Sequence, residues 1–271
     1  MVTINLYQAK GIDIQIEFPS CWNDLDHSEI IEICKLQLLN PTNKEDNRVS
    51  FFFFIIETRC KQKGNFLKSD WKEKTDLEIV SQILYLLDFI YNENNLTQQL
   101  HKTLEVEGKI LIGLENDFEN ITCGEFECLE ILFHEFNDSP SAEVLAKMCA
   151  IIFREKGHQF QEIINEKLVT YDFDEKSKPF LNLKAWILYS IYTWYCGCRL
   201  NLPNKFPTVY EGDGTSSKSD PDALAFTKCI HSGAGVKNGT RNQIRITPLL
   251  EYMFEMEQEA IKVKELNAKN D

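Results

Sequence analysis

The chain has 271 residues and carries 29 Lys and Arg against 42 Asp and Glu, a formal charge of −13. Hydrophobic residues make up 43% and charged residues 26%, a composition that excludes extensive disorder. A surface this acidic repels phosphate backbones, so we expect no nucleic-acid partner. The remaining nucleic-acid hypothesis is an acidic decoy that occupies a nucleic-acid-binding protein.

The cysteines and the N-terminus predict a cytoplasmic protein. The nine cysteines are scattered among apolar neighbours, which is typical of reduced, buried thiols. The first fifteen residues (MVTINLYQAKGIDIQ) lack the basic and apolar regions of a signal peptide. The apolar stretch 181–198 contains polar residues and spreads its Trp and Tyr along its length, so we expect a buried helix and no membrane contact.

The chain opens with a β-hairpin pattern. Apolar and polar residues alternate over 2–6 and 12–18, on either side of a short turn at 8–11. Because a lone hairpin is marginal in water, we expect residues 104–114, which repeat the alternation, to add to the same small antiparallel sheet.

Helical patterns follow. Asp26 or Ser28 is suited to cap a helix that extends to residue 38, and apolar spacing predicts helices over 48–60 and 76–91. Thr122 and Glu125 form a capping-box pattern ahead of a helix. Ser139 and the proline after it predict the start of the next one.

The first of these two helices carries acidic residues beside an apolar face. Glu127, Glu130 and Glu135 lie near His134 and resemble acid–base partners, but their spacing favours a solvent-exposed acidic stripe. The two helices are expected to form an αα-hairpin, against which a long aromatic helix over 178–200 packs.

The C-terminal quarter is predicted to form a separate segment. Residues 210–220 are rich in Gly, Ser and Asp and predict a connector. A helix is expected over 220–230, a Gly-rich loop over 232–240, and a final helix after Thr247 with Leu249, Leu250, Met253 and Phe254 facing inward. The fold class is thus α+β, mainly α-helical. The predicted organisation is a main domain (1–209), a linker (210–221) and a helical, partner-docking arm (222–271).

Several short segments share their order with a known family. They are residues 18–25 (FPSCWNDL), 120–126, 130–136, 145–154, 194–199 (WYCGCR), 206–207 and 247–249. This order resembles an uncharacterised protein family from the tail-gene clusters of Bacteroides-type phages and prophages. Where the family often has Tyr-Arg-Pro at the end of the middle helix, this chain has Phe153, Arg154 and Glu155.

The resemblance implies a role in virion assembly, as a tail-associated protein or tail-assembly chaperone. The implied partners are other phage tail or particle proteins, and homo-oligomers are compatible with it. The implied location is the host cytoplasm during assembly, with or without incorporation into the virion. The family supplies no catalytic residues.

One constellation points to metal chemistry. Cys196, Cys198, Cys229 and His231 offer the ligand types and number of a zinc site. The Cys-x-Cys spacing is tighter than usual for zinc, and buried core thiols are the alternative. The Gly-rich segment 232–240 lacks the Walker and dinucleotide patterns, so a docking loop is expected there, and no cofactor.

Aromatic residues point to protein contact. Trp186, Tyr189, Trp194, Tyr195 and Phe254 are predicted to form core or a partner interface. The leading hypothesis is therefore a non-enzymatic phage structural or assembly protein without catalytic residues. The alternative is a small-molecule- or zinc-binding protein, or an enzyme, that uses the Cys196/Cys198/Cys229/His231 region.

Overall fold

A computed structural model of the protein describes residues 1–7, 13–64, 67, 71–72, 75, 77–211, 223–235 and 239–270. It confirms the predicted α+β, mainly helical class. The chain divides into two compact units. The first comprises Met1–Leu96 with Ala185–Gly197, and the second comprises Thr97–Lys184 with Cys198–Asp271.

The elements of the described residues follow in chain order. The strands are β1 (Val2–Tyr7), β2 (Asp13–Phe18), β3 (Thr103–Val106), β4 (Lys109–Gly113), β5 (Phe153–Arg154), β6 (Gln161–Ile164) and β7 (Lys167–Thr170). The helices are α1 (His27–Leu39), α2 (Lys44–Gln62), α3 (Leu77–Ile83), α4 (Phe89–Asn92), α5 (Cys123–Asp138), α6 (Ala142–Ile152), α7 (Phe173–Ser177), α8 (Ala185–Lys205), α9 (Pro207–Glu211), α10 (Ala225–Gly233), α11 (Arg241–Ile246) and α12 (Leu249–Asn270).

The N-terminal hairpin is confirmed as an antiparallel β1–β2 pair. The predicted turn at 8–11 lies outside the described residues. Phe18 is fully buried, and its ring centroid lies 5.7 Å from the ring centroid of Phe52 on α2. The expectation of a third strand from 104–114 is wrong, because β3 pairs with β4 and β4 pairs with β5, all in the second unit. Helix α2 covers the hairpin instead.

One arginine connects three elements of the first unit. Arg59 on α2 donates to both carboxylate oxygens of Glu29 on α1, at 2.6 and 2.8 Å. It also donates to the carbonyl oxygen of Asp24, at 2.9 Å, and to that of Glu17 on β2. Glu29 is fully buried. Its negative charge is stabilised in the interior by the positive charge of the Arg59 guanidinium.

The start of α1 is as predicted, whereas the helix expected over 76–91 is not. Asp26 caps α1, and Glu29 completes the capping box. The helix expected over 76–91 is interrupted: α3 passes into a 3-10 turn at Leu84–Leu87, and α4 follows.

Helix α8 packs closely against the chain in the first unit. A Cβ atom placed on Gly197 would lie 2.2 Å from the carbonyl oxygen and 2.7 Å from the amide nitrogen of Leu96. Nearby on the same helix, the Thr193 carbonyl accepts from the Asn94 amide at 2.7 Å. The backbone around residues 94–96 therefore rests directly on this helix.

The second unit is built around α5. Its capping box of Thr122 and Glu125 is confirmed. The cap predicted for α6 at Ser139 is wrong: α5 extends to Asp138, and Ser141 caps α6 by accepting from the amide of Val144 at 3.2 Å.

The C-terminal helices also belong to the second unit. Thr240, predicted to lie in a loop, caps the short α11, which the sequence reading missed. On α12, Leu249 and Met253 are buried as predicted, but Phe254 is 58% exposed, so its inward placement is wrong. The boundaries predicted at 209 and 222 flank residues outside the described ranges, so the division into domain, linker and arm stays a prediction. In the described part of the chain, no helix has the length and apolar character to cross a membrane.

Candidate functional site

The predicted zinc ligands have separate surroundings. Cys196 belongs to the first unit, and the other three residues belong to the second. The Cys198 thiol lies 3.8 Å from the carbonyl oxygen of Thr97, and the Cys229 thiol lies 3.4 Å from the sulfur of Met256. Within the described ranges, no group of three or more His, Cys, Asp or Glu side chains is gathered as metal ligands.

The thiols are also poor nucleophiles where burial is strong. All nine cysteines are free thiols. Burial raises the pKa of Cys34 and of Cys128 to about 12, and it raises the pKa of Cys123 and Cys149 further in the same direction. Because the thiolate is the reactive form, these four are inert at neutral pH.

The predicted interface aromatics separate into core and surface. Trp194 and Tyr195 are fully buried. Trp186 and Tyr189 on the same helix are half-buried, and Tyr189 stacks on Tyr192 with ring centroids 5.8 Å apart. Of the five predicted residues, only Trp186, Tyr189 and the exposed Phe254 present surface to a partner.

The sequence predicted a solvent-exposed acidic stripe on α5, and this is correct for Glu135, which is exposed, but wrong for the other two glutamates. Glu127 and Glu130 are both buried. Arg245 on α11 donates to the two oxygens of Glu127 at 2.6 and 3.0 Å. Arg199 does the same to Glu130, at 2.7 and 3.0 Å. These bidentate pairs join α5 to segments distant in sequence, so their role is structural.

The Glu127 pair predicts acid-sensitive stability. Burial alone would raise the pKa of Glu127, but the hydrogen bonds from Arg245 hold it below its ordinary value of 4.5. The carboxylate thus stabilises the fold above pH 4.5, and this contribution is lost as the pH falls through the lowered pKa. Replacing Glu127 by Gln should lower the free energy of unfolding at pH 7 by about 1 to 3 kcal/mol.

The measurement is urea unfolding of the wild type and Glu127→Gln, followed by far-UV circular dichroism at pH 7 and near pH 3. The difference between the two proteins should shrink toward the acid pH, because the contribution of the carboxylate is lost as the pH falls through the lowered pKa of Glu127. If the difference in the free energy of unfolding between the two proteins stays constant with pH, the ion pair contributes nothing to stability.

The second unit also has an open cleft, which we call the Arg154 cleft. It has a larger lobe of about 630 Å³ and a smaller one of about 130 Å³. The start of α5, strand β6 and the end of α11 line the larger lobe, and the end of β4 lines the smaller one. Three residues line both lobes: Asn120, Arg154 and His158.

A buried ion pair forms the floor of the cleft. Glu125 is almost fully buried and forms an ion pair with Arg154. The other oxygen of Glu125 accepts from the amide of Thr122 at 2.6 Å. Arg154 also donates through Nη1 to the carbonyl oxygen of Ile151 at 2.7 Å, and its guanidinium carbon lies 5.9 Å from the ring centroid of Phe160. The guanidinium is therefore fixed in position.

A glycine allows β6 to form one wall. The side-chain oxygen of Gln161 occupies the place of a Cβ on Gly124, since such an atom would lie 1.8 Å from it. The Gln161 amide nitrogen donates to the Thr170 hydroxyl across the hairpin at 3.3 Å. The base of the β6–β7 hairpin is thereby anchored on the start of α5.

Beyond its base, the β6–β7 hairpin is exposed. The turn residues Asn165 and Glu166 have φ of 50° and 67°, as a type I′ turn requires. Ile164 and Val169 are each 49% exposed. Among the described residues, neither strand pairs with a third one, so both edges retain unpaired backbone groups.

The sequence reading missed both the hairpin and the cleft. The β-branched residues around Asn165 were a usable hairpin signal. The cleft gave no such signal, because Asn120 lies more than thirty positions before Arg154 and His158 and meets them only in the folded unit.

Comparison with known proteins gives no match: no family model, no curated protein and no solved structure resembles this chain significantly.

Proposed function

We propose that this chain is a non-enzymatic structural or assembly protein that acts by protein–protein contact, as a phage or prophage tail-associated protein. Its partners would be other tail or particle proteins, met in the host cytoplasm during assembly. The phage assignment rests on the sequence resemblance alone.

The exposed β6–β7 hairpin is the observation that supports a contact role. Val169 is paired with Glu162, and Ile164 with Lys167, so Ile164 and Val169 lie on the same face as diagonal neighbours. A two-stranded hairpin with apolar side chains in water is marginally stable by itself. A partner that covers this face, or adds a strand to a free edge, would bury the apolar side chains and satisfy the backbone groups.

The charges of α5 favour binding over catalysis. Three carboxylates, those of Glu125, Glu127 and Glu130, are each neutralised by an arginine. A general acid or base needs a proton to exchange with a substrate, whereas a carboxylate that is buried and paired on both oxygens serves to position elements. We therefore place function on the surface of this unit.

Replacing Ile164 and Val169 together by Thr tests the proposal. Threonine keeps the β-branched shape that strands favour but removes the apolar contact. Tagged protein co-expressed with the neighbouring genes should retain tail or particle proteins in stoichiometric amounts. The double variant should retain at least tenfold less, as judged by quantitative mass spectrometry of the eluate.

Ile110→Thr is the matched control, because Ile110 is an exposed β-strand isoleucine, at 69%, outside the hairpin. It should bind as the wild type does. Recovery of the protein without any particle protein, but with stoichiometric zinc or a small molecule, would contradict the proposal. An equal loss of captured particle proteins in the double variant and in Ile110→Thr would show that the hairpin is not the contact surface.

A further inference from the structure

We propose that the Arg154 cleft binds a carboxylate of the partner protein, presented beside an apolar residue. This inference rests on the proposed protein-binding role and adds to it the chemistry of the partner's contact.

The first argument is the free edge of Arg154. Its Nη1 is engaged by Glu125 and by the carbonyl of Ile151. Among the described residues, no acceptor is hydrogen-bonded to its Nε or Nη2, and the side chain lines both lobes. The Nε–Nη2 edge of a guanidinium matches the two oxygens of a carboxylate. Since Glu125 and the Phe160 ring already fix the group, little side-chain entropy is lost on binding.

The second argument is the orientation of Asn120. Its Oδ1 accepts from the backbone amide of Glu115 at 2.7 Å. This bond fixes the side-chain amide, so Nδ2, a donor only, is the group left for a ligand. Asn120, Arg154 and His158 share the junction of the two lobes. Three residues with donor-bearing side chains therefore line the same part of the cleft.

The third argument is the charge balance of the walls. Glu125 is neutralised by Arg154, and Glu155 by Lys109 at 2.7 Å. Lys156 lines the smaller lobe. Glu162 adds a negative charge on the β6 side of the larger lobe, so the carboxylate is expected at the junction, away from β6.

The neighbouring wall selects what accompanies the carboxylate. Ile163 on β6 and Ile246 at the end of α11 both line the larger lobe. An apolar side chain next to the acidic group would cover them. An Asp or Glu adjacent to a Leu-like residue in an extended partner segment fits this pair of surfaces.

The test is a titration of the full chain, labelled with ¹⁵N-arginine, with three probes: acetyl-Leu-Asp-Leu amide, acetyl-Leu-Asn-Leu amide and succinate. We expect the Nε–H signal of Arg154 to shift in a saturable way with the Asp peptide. The Asn peptide should bind at least tenfold more weakly. Succinate that binds as tightly as the Asp peptide would make the ligand a small dicarboxylic acid and overturn the partner assignment.

Two variants and one control complete the test. Asn120→Asp keeps the acceptor for the Glu115 amide but replaces the Nδ2 donor by a negatively charged oxygen. It should weaken binding of the Asp peptide at least tenfold. Arg154→Lys keeps a cation for Glu125 but removes the bidentate edge, and it should also weaken binding of the Asp peptide at least tenfold. Glu162→Gln should bind at least as well as the wild type.

The outcomes separate this inference from the proposed function. If Asn120→Asp leaves peptide affinity unchanged, or if the Asp peptide causes no shift, the carboxylate site is wrong. Capture of particle proteins that still depends on Ile164 and Val169 would then leave the assembly role standing.

Discussion

Replacing Gly197 by Ala is expected to destabilise the first unit by about 3 kcal/mol, the upper part of the range for overpacking. The added Cβ would approach the carbonyl oxygen of Leu96 to 2.2 Å and its amide nitrogen to 2.7 Å. These are backbone atoms, which no side-chain rotation can move aside. Alanine is the better helix former by about 1 kcal/mol, but this gain is smaller than the steric cost.

Tryptophan fluorescence during urea unfolding measures this effect selectively. All four tryptophans, Trp22, Trp71, Trp186 and Trp194, belong to the first unit. Leu200→Ala is the control, because Leu200 is an exposed position further along α8. It should change the midpoint little. An unchanged or higher midpoint for Gly197→Ala would show that the close approach to Leu96 is not maintained in solution.

Replacing Arg59 by Met should destabilise the first unit by about 3 to 5 kcal/mol, because it leaves an uncompensated buried charge. Glu29 has no exposed surface and receives two charge-assisted hydrogen bonds from Arg59. The substitution also removes the donors that serve the carbonyl oxygens of Glu17 and Asp24.

The same fluorescence measurement tests this prediction. Arg48→Met is the matched control on α2, since Arg48 pairs with the largely exposed Glu45 and the partly exposed Asp88. It should cost less than about 1 kcal/mol. Adding Glu29→Leu to Arg59→Met should recover part of the loss, because it removes the stranded charge. A single Arg59→Met variant as stable as Arg48→Met would refute the role assigned to the buried pair.

Local signals in the sequence were sufficient for parts of the fold. The caps at Asp26 and Thr122 were predictable because the capping residue and its glutamate lie three residues apart. The helix over the apolar run 48–60 was also correct. In these cases the information is contained within a few neighbouring positions.

Long-range contacts account for what the sequence reading missed. The burial of Glu127 and Glu130 depends on Arg245 and Arg199, which no local pattern connects to them. The alternation in 104–114 correctly indicated strands, but the further strand that pairs with them, through β4, is Phe153–Arg154 and not the N-terminal hairpin. The Arg154 cleft depends in the same way on the approach of Asn120 to the segment that contains Arg154 and His158.

The first unit is discontinuous, and this has a consequence during synthesis on the ribosome. Residues 97–184 are made between its first 96 residues and the segment Ala185–Gly197 that completes it. At roughly 5 to 20 residues per second, the wait is on the order of 5 to 20 s. The backbone around Leu96 cannot rest on Gly197 until α8 has left the exit tunnel. During that interval the side of α1 around Cys34, whose thiol lies 3.6 Å from the Thr193 hydroxyl of α8 in the folded unit, is open to chaperones.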